Sequence, residues 1–74
     1  MTPNFVEKFL ELNGFKEEQK DSYKKNNCIV IFWDDYYSVD DGAGVVYSPD
    51  LNIYWLIGYL TYYNYIDKDY KIPE

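Results

Sequence analysis

Cys28-Ile29-Val30-Ile31-Phe32-Trp33-Asp34-Asp35-Tyr36-Tyr37-Ser38-Val39 is the stretch that decides how this chain folds. Its first half is continuous, β-branched and aromatic, the pattern of a central strand. Asp34-Asp35 before a second strand-like run predicts a two-residue hairpin turn, a weaker signal than Asn-Gly but of the same kind. Such a turn fixes the register: Trp33 faces Tyr36, Phe32 faces Tyr37, Ile31 faces Ser38 and Val30 faces Val39. One face of the hairpin then carries Val30, Phe32, Tyr37 and Val39, and the other carries Trp33 and Tyr36.

Working outward, Asn26-Asn27 is an acceptable tight turn into the central strand, and Tyr23 begins a short strand before it. Residues 16–27 are densely charged without a sustained apolar period, and their first part reads as an exposed connection. On the other side, Asp40-Asp41-Gly42-Ala43-Gly44 reads as a turn and Val45-Val46-Tyr47 as a last short strand.

Thr2-Pro3-Asn4-Phe5 and Ser48-Pro49-Asp50-Leu51 each place a hydroxyl before a proline, the signature of an N-cap followed by the first helical position. In the first helix Phe5, Phe9 and Leu12, joined by Val6 and Leu10, form the apolar stripe, and Glu7, Lys8 and Glu11 face water. Gly14 supplies a left-handed C-terminal cap with Phe15 folding back on Leu10. The expectation is a single α+β domain over residues 1–74: helix, antiparallel meander of three to four strands, C-terminal helix, both helices on one sheet face.

Composition narrows function mainly by exclusion. Histidine and arginine are absent, and Cys28 is the lone cysteine, so neither an intramolecular disulfide nor a Cys/His zinc site can form. Thirteen acids against seven lysines give a formal charge of -6, which repels phosphate backbones and anionic headgroups and suits a partner with a basic surface. Direct nucleic-acid binding is therefore disfavoured. The uncharged run over residues 51–66 is shorter than the about 20 apolar residues of a membrane span and carries five tyrosines, so it reads as a buried or interface helix. With no basic stretch or apolar segment of the signal-peptide type at its start, the chain is expected in the cytoplasm.

No catalytic residue, cofactor or metal site is assigned. Cys28 has no histidine to activate it and begins an apolar strand, the acidic turns lack the ligand alternation of a calcium loop, and Gly42-Ala43-Gly44 lacks the lysine of a phosphate-binding loop. Two surfaces remain as partner-binding candidates. On the second helix Ile53, Leu56, Ile57 and Leu60 suit the sheet, while Trp55, Tyr59 and Tyr62 recur on a different face beside Gly58. In the hairpin, Asp34, Asp35, Asp40 and Asp41 bracket the strand, with Trp33 and Tyr36 on its outer side.

The expectation is a non-enzymatic protein-interaction module acting on a basic, nucleic-acid-binding protein, in the manner of a phage or mobile-element inhibitor that imitates nucleic-acid charge. The alternative is self-association, as a structural homo-oligomer assembled through Trp55, Tyr59 and Tyr62. Ten tyrosines in a chain also rich in Asn, Lys and Ile match the product of an AT-rich genome, so the number of tyrosines says less than their placement.

Overall fold

A computed structural model describes residues 4–73. The elements run α1 (Asn4–Leu12), β1 (Lys16–Gln19), β2 (Ser22–Lys25), β3 (Cys28–Phe32), β4 (Tyr37–Asp40), β5 (Val45–Tyr47) and α2 (Ile53–Tyr62). The strands form one antiparallel sheet in the order β1-β2-β3-β4-β5, so every connection is a hairpin and β3 lies at the centre.

The β3–β4 register is the one the Asp-Asp turn predicts, with Phe32 opposite Tyr37, Ile31 opposite Ser38 and Val30 opposite Val39. The Trp33 N–H donates to the Tyr36 carbonyl at 2.9 Å and closes the hairpin. Val30, Phe32, Tyr37 and Val39 are buried together with Val6, Phe9 and Leu10 of α1 and Leu56, Ile57 and Leu60 of α2. Both helices therefore share the core on one sheet face. Tyr23, Phe32 and Tyr37 form a row of ring contacts through that core, with centroids 5.6 and 5.5 Å apart.

Three expectations are corrected. The sheet has five strands rather than three to four, because residues 16–19 pair with residues 22–25. All of β1 is exposed, so an edge strand of Lys-Glu-Glu-Gln shows no apolar alternation to read. The second helix begins at Ile53 and not after Ser48, because Asn52 is its N-cap and accepts the Tyr54 N–H at 2.8 Å. Ser48 is used elsewhere: its Oγ accepts the Tyr37 N–H at 2.7 Å and donates to the Asp50 carbonyl at 2.6 Å. On α1 the buried stripe is Val6, Phe9 and Leu10, with Phe5 and Leu12 exposed at its margins. Glu7 is half-buried and hydrogen-bonds the Tyr23 hydroxyl, whose pKa is raised first by burial and then by that carboxylate. The Thr2-Pro3 cap lies outside the described residues.

Both helices end in the same way. The Phe15 N–H donates to the Leu10 carbonyl at 2.9 Å with Gly14 at φ 97°, and the Tyr65 N–H donates to the Leu60 carbonyl at 2.8 Å with Asn64 at φ 62°. These are Schellman caps, in which a left-handed residue turns the chain and the next side chain folds back on the helix. Beyond the second cap, the C-terminal segment returns to α1, where Asn13 and Lys71 exchange hydrogen bonds of 2.8 and 2.9 Å. Tyr70 packs edge-on against Phe9 there.

The two caps predict different responses to mutation. Gly14→Ala forces a side chain into the left-handed region and against Lys25 Cε at 3.1 Å, and is expected to cost about 1–2 kcal/mol. Asn64→Gly keeps that conformation accessible and is expected to change stability by less than about 1 kcal/mol. Urea-unfolding midpoints of the two variants check the contrast.

Candidate functional site

The sheet has one covered and one open face, and the hairpin candidates lie on the open one. Strand alternation places Ile29 and Ile31 of β3, Ser38 and Asp40 of β4, and Val45 and Tyr47 of β5 on that face. Trp33 and Tyr36 extend it at the hairpin end. Trp33 is 47% exposed, and its indole Nε1–H donates to Ser38 Oγ at 2.9 Å, which lays the ring over Ser38 and leaves that serine buried. Tyr36 stacks on Trp33 with centroids 6.2 Å apart and meets Tyr47 edge-on at 5.7 Å. The result is an aromatic row across β3, β4 and β5. Beside it lies a depression of about 670 Å³ whose lining includes Lys20, Asp21, Trp33, Asp34, Asp35 and Tyr36.

The four aspartates divide by role. Asp34 and Asp35 are exposed at the hairpin tip. Asp40 Oδ1 accepts the Gly42 N–H at 2.8 Å, and Asp41 Oδ1 accepts the N–H groups of Ala43 at 2.9 Å and Gly44 at 3.2 Å. These last two shape their turn, as aspartate commonly does. Asp41 also joins the two candidate surfaces, because its Oδ2 accepts the Tyr65 hydroxyl at 2.7 Å.

The second candidate face is partly covered within the chain itself. Trp55 and Tyr59 are half-buried against the core and stack at 5.3 Å. Tyr59 then meets Tyr63 at 4.7 Å, Tyr63 meets Tyr62 at 4.8 Å, and Tyr63 lies 6.2 Å from Tyr65. The cover comes from the residues that follow the helix. Tyr62 stays 78% exposed, and a side chain added at Gly58 meets nothing within 4 Å.

Three tyrosines of these clusters, Tyr47, Tyr63 and Tyr65, are absent from the sequence-predicted set. A signal existed for the first two: the β4–β5 register puts Tyr47 on the Trp33 side, and Tyr63 follows Tyr59 by one helical turn. Tyr65 reaches its place only through the Schellman cap.

Charge is segregated along the sequence and therefore across the sheet. No lysine lies between Lys25 and Lys68, a span that carries Asp34, Asp35, Asp40, Asp41 and Asp50. β4 and β5 thus carry no lysine, whereas Lys16, Lys20, Lys24 and Lys25 sit on β1, β2 and their turns, from which Lys20 lines the depression with Asp34 and Asp35 and Lys25 lies near Asp41. Among the described residues there is no group of three or more His, Cys, Asp or Glu side chains that could hold a metal ion. No helix among them is long and apolar enough to cross a membrane.

Burial, reinforced by Asp41, pushes the Cys28 thiol up to about 12. Reaction of the native protein with a disulfide reagent at pH 8 is expected to be slower than that of the unfolded chain by roughly two orders of magnitude. Absorbance of the released thiolate measures it.

The Tyr65 hydrogen bond and the Ala43 and Gly44 N–H groups hold Asp41 below its ordinary 3.8, while Asp41 pushes Tyr65 from 10.0 up to about 12. A lowered carboxylate pKa gives stability that is present above 3.8 and lost as pH falls through the folded value; a raised phenol pKa gives stability lost as pH rises through about 12. Tyr65→Phe is therefore expected to be less stable than wild type at pH 7, with the gap closing at both extremes. Denaturant midpoints across pH check it. No protein-family model, curated protein or solved structure matches the chain, so its role rests on the surfaces described above.

Proposed function

We propose that this chain is a non-enzymatic interaction module that acts in the cytoplasm by holding the basic surface of a protein partner against its β4–β5 half. The observation that carries the reading is the coincidence on one side of the sheet of exposed aromatic surface and a stretch of chain in which every charged residue is an aspartate. Trp33, Tyr36 and Tyr47 supply contact area with few rotatable bonds, and residues 26–67 carry aspartates and no lysine, so that only Lys20 and Lys25 of the first hairpin approach them. Contiguous exposed apolar surface marks an interaction site, and acidic surroundings select a basic partner and speed the encounter.

A nucleic-acid-binding protein is the fitting partner class, because its contact surface is basic by necessity. Occupying that surface makes the chain an inhibitor by charge imitation. A second reading has its own observation: Tyr54 and Tyr62 are exposed on α2 one turn either side of the open Gly58, with Tyr63 exposed at its C-cap, which suits pairing of that helix with another copy. Light scattering separates the two, since the second reading requires a mass that rises with concentration.

For the first reading, capture of partners from host lysate by the tagged protein is expected to fall steeply between low and high salt. It is also expected to fall at least about tenfold when Asp34, Asp35 and Asp40 are changed together to Asn. These three leave the Asp41–Tyr65 bond in place. Capture that ignores both salt and the substitutions would falsify the charge-based reading.

A further inference from the structure

The two edges of the sheet are built differently. β1 is Lys-Glu-Glu-Gln, with a register irregularity between Glu17 and Gln19, and charge and irregularity of this kind keep other strands away from an edge. β5 is Val45-Val46-Tyr47, without a charge, and its residues are 46, 39 and 60% exposed. No charged residue occurs over the whole stretch 42–49. Among the described residues, nothing pairs with its outer side.

The backbone of β5 is oriented for a further strand. The Ser48 N–H donates to the Tyr37 carbonyl at 2.8 Å and the Asp41 N–H to the Gly44 carbonyl at 3.4 Å. Hydrogen-bonded pairs alternate in an antiparallel ladder, so the next bonded pair between these two is Val39 with Val46. Val46 therefore turns its N–H and C=O toward β4. Val45 and Tyr47 turn theirs outward, two donors and two acceptors in line.

We propose that β5 is a docking edge that accepts an extended, basic segment of a partner protein as a sixth strand, with lysine or arginine at alternate positions. This rests on the interaction reading above and names how the partner is held. The argument for that occupant is charge. An added strand lies two strand spacings, about 10 Å, from β4, a span that an incoming lysine and Asp40 can bridge between them across the open face. At the hairpin end the same face offers Asp34 and Asp35, with the rings of Tyr47, Tyr36 and Trp33 for cation–π contact.

A second copy fits the edge less well. Antiparallel pairing of two β5 strands brings together two segments that are themselves uncharged and are flanked in each copy by Asp41 and Asp50 and by no lysine. Like charges so placed oppose the pairing.

The test uses the intact protein and a synthetic peptide, acetyl-Lys-Val-Lys-Val-Lys-Val-Lys-amide, followed by amide hydrogen exchange and Trp fluorescence. The expected result is saturable binding that slows exchange at the Val45 and Tyr47 amides at least about tenfold, with the β1 amides unchanged. Val45→Pro removes an outward donor while leaving the β4 pairing, and is expected to weaken the peptide about tenfold, the effect of one to two lost hydrogen bonds. Should that variant fail to fold, exchange in the wild-type protein still decides.

Peptide binding that perturbs Trp33 while Val45 and Tyr47 exchange as before overturns strand addition and leaves the acidic-aromatic reading standing. Absence of peptide binding, while salt-sensitive capture from lysate persists, does the same. Protection of Val45 and Tyr47 without peptide, growing with protein concentration, overturns the proposal in favour of a second copy.

Discussion

The architecture turns on Tyr37. It is fully buried, its ring meets Phe32 in the core, its N–H donates to Ser48 Oγ, and its hydroxyl donates to the Leu51 carbonyl at 2.7 Å. One residue of β4 therefore fixes the sheet on which it lies, the end of the neighbouring strand and the approach to α2. The connection over residues 48–52 is then bonded step by step, from Ser48 to Asp50, Asp50 to Asn52 and Asn52 to Tyr54. A domain this small removes only about 60% of its chain surface from water on folding, so a side chain that serves core, sheet and helix entry at once has unusual weight. Burial raises the pKa of its hydroxyl, which keeps it a donor.

That constraint also explains why the far side of the sheet is open. With α1 and α2 both committed to the face bearing Tyr37, the described residues place no helix on the other, and its apolar side chains shield one another as far as they can. Trp33 lies over Ser38, and Tyr36 wedges between Trp33 and Tyr47. β5 gains little cover on either side, since even Val46, opposite the core residue Val39, remains exposed. Uncovered aromatic surface, a bare edge and a lysine-free run of aspartates thus fall in the same half of the molecule for a topological reason: no lysine occurs from β3 to the end of α2.

The β3–β4 hairpin is legible in the sequence because its apolar run is long and its turn is short, which leaves a single register that buries Val30, Phe32, Tyr37 and Val39 together. The Gly14 cap is legible for a similar reason, since few residues other than glycine end a helix that way. β1 is not, because an edge strand exposed throughout carries no hydrophobic period. The start of α2 is misplaced because Ser48 and Asn52 are both chemically able to cap, and only the position of the Tyr37 N–H decides which is free. At the candidate sites, helical spacing finds Trp55, Tyr59 and Tyr62 as neighbours and extends to Tyr63, but not to Tyr65, which meets Tyr63 only because the chain turns at Asn64. The aspartates are visible as a cluster, yet their division into turn-formers and free charges depends on which backbone N–H groups point at them.

The placement of the two tryptophans has a practical side. Trp33 lies half in water on the open face with its indole bonded to a hydroxyl, whereas Trp55 stacks on Tyr59 along α2 on the other side of the molecule. Their surroundings differ in polarity and in quenching neighbours, and the many tyrosines feed excitation to both. The chain thus carries one intrinsic fluorophore for each of its two exposed surfaces, and a change in the colour or lifetime of its emission reports which of them is engaged.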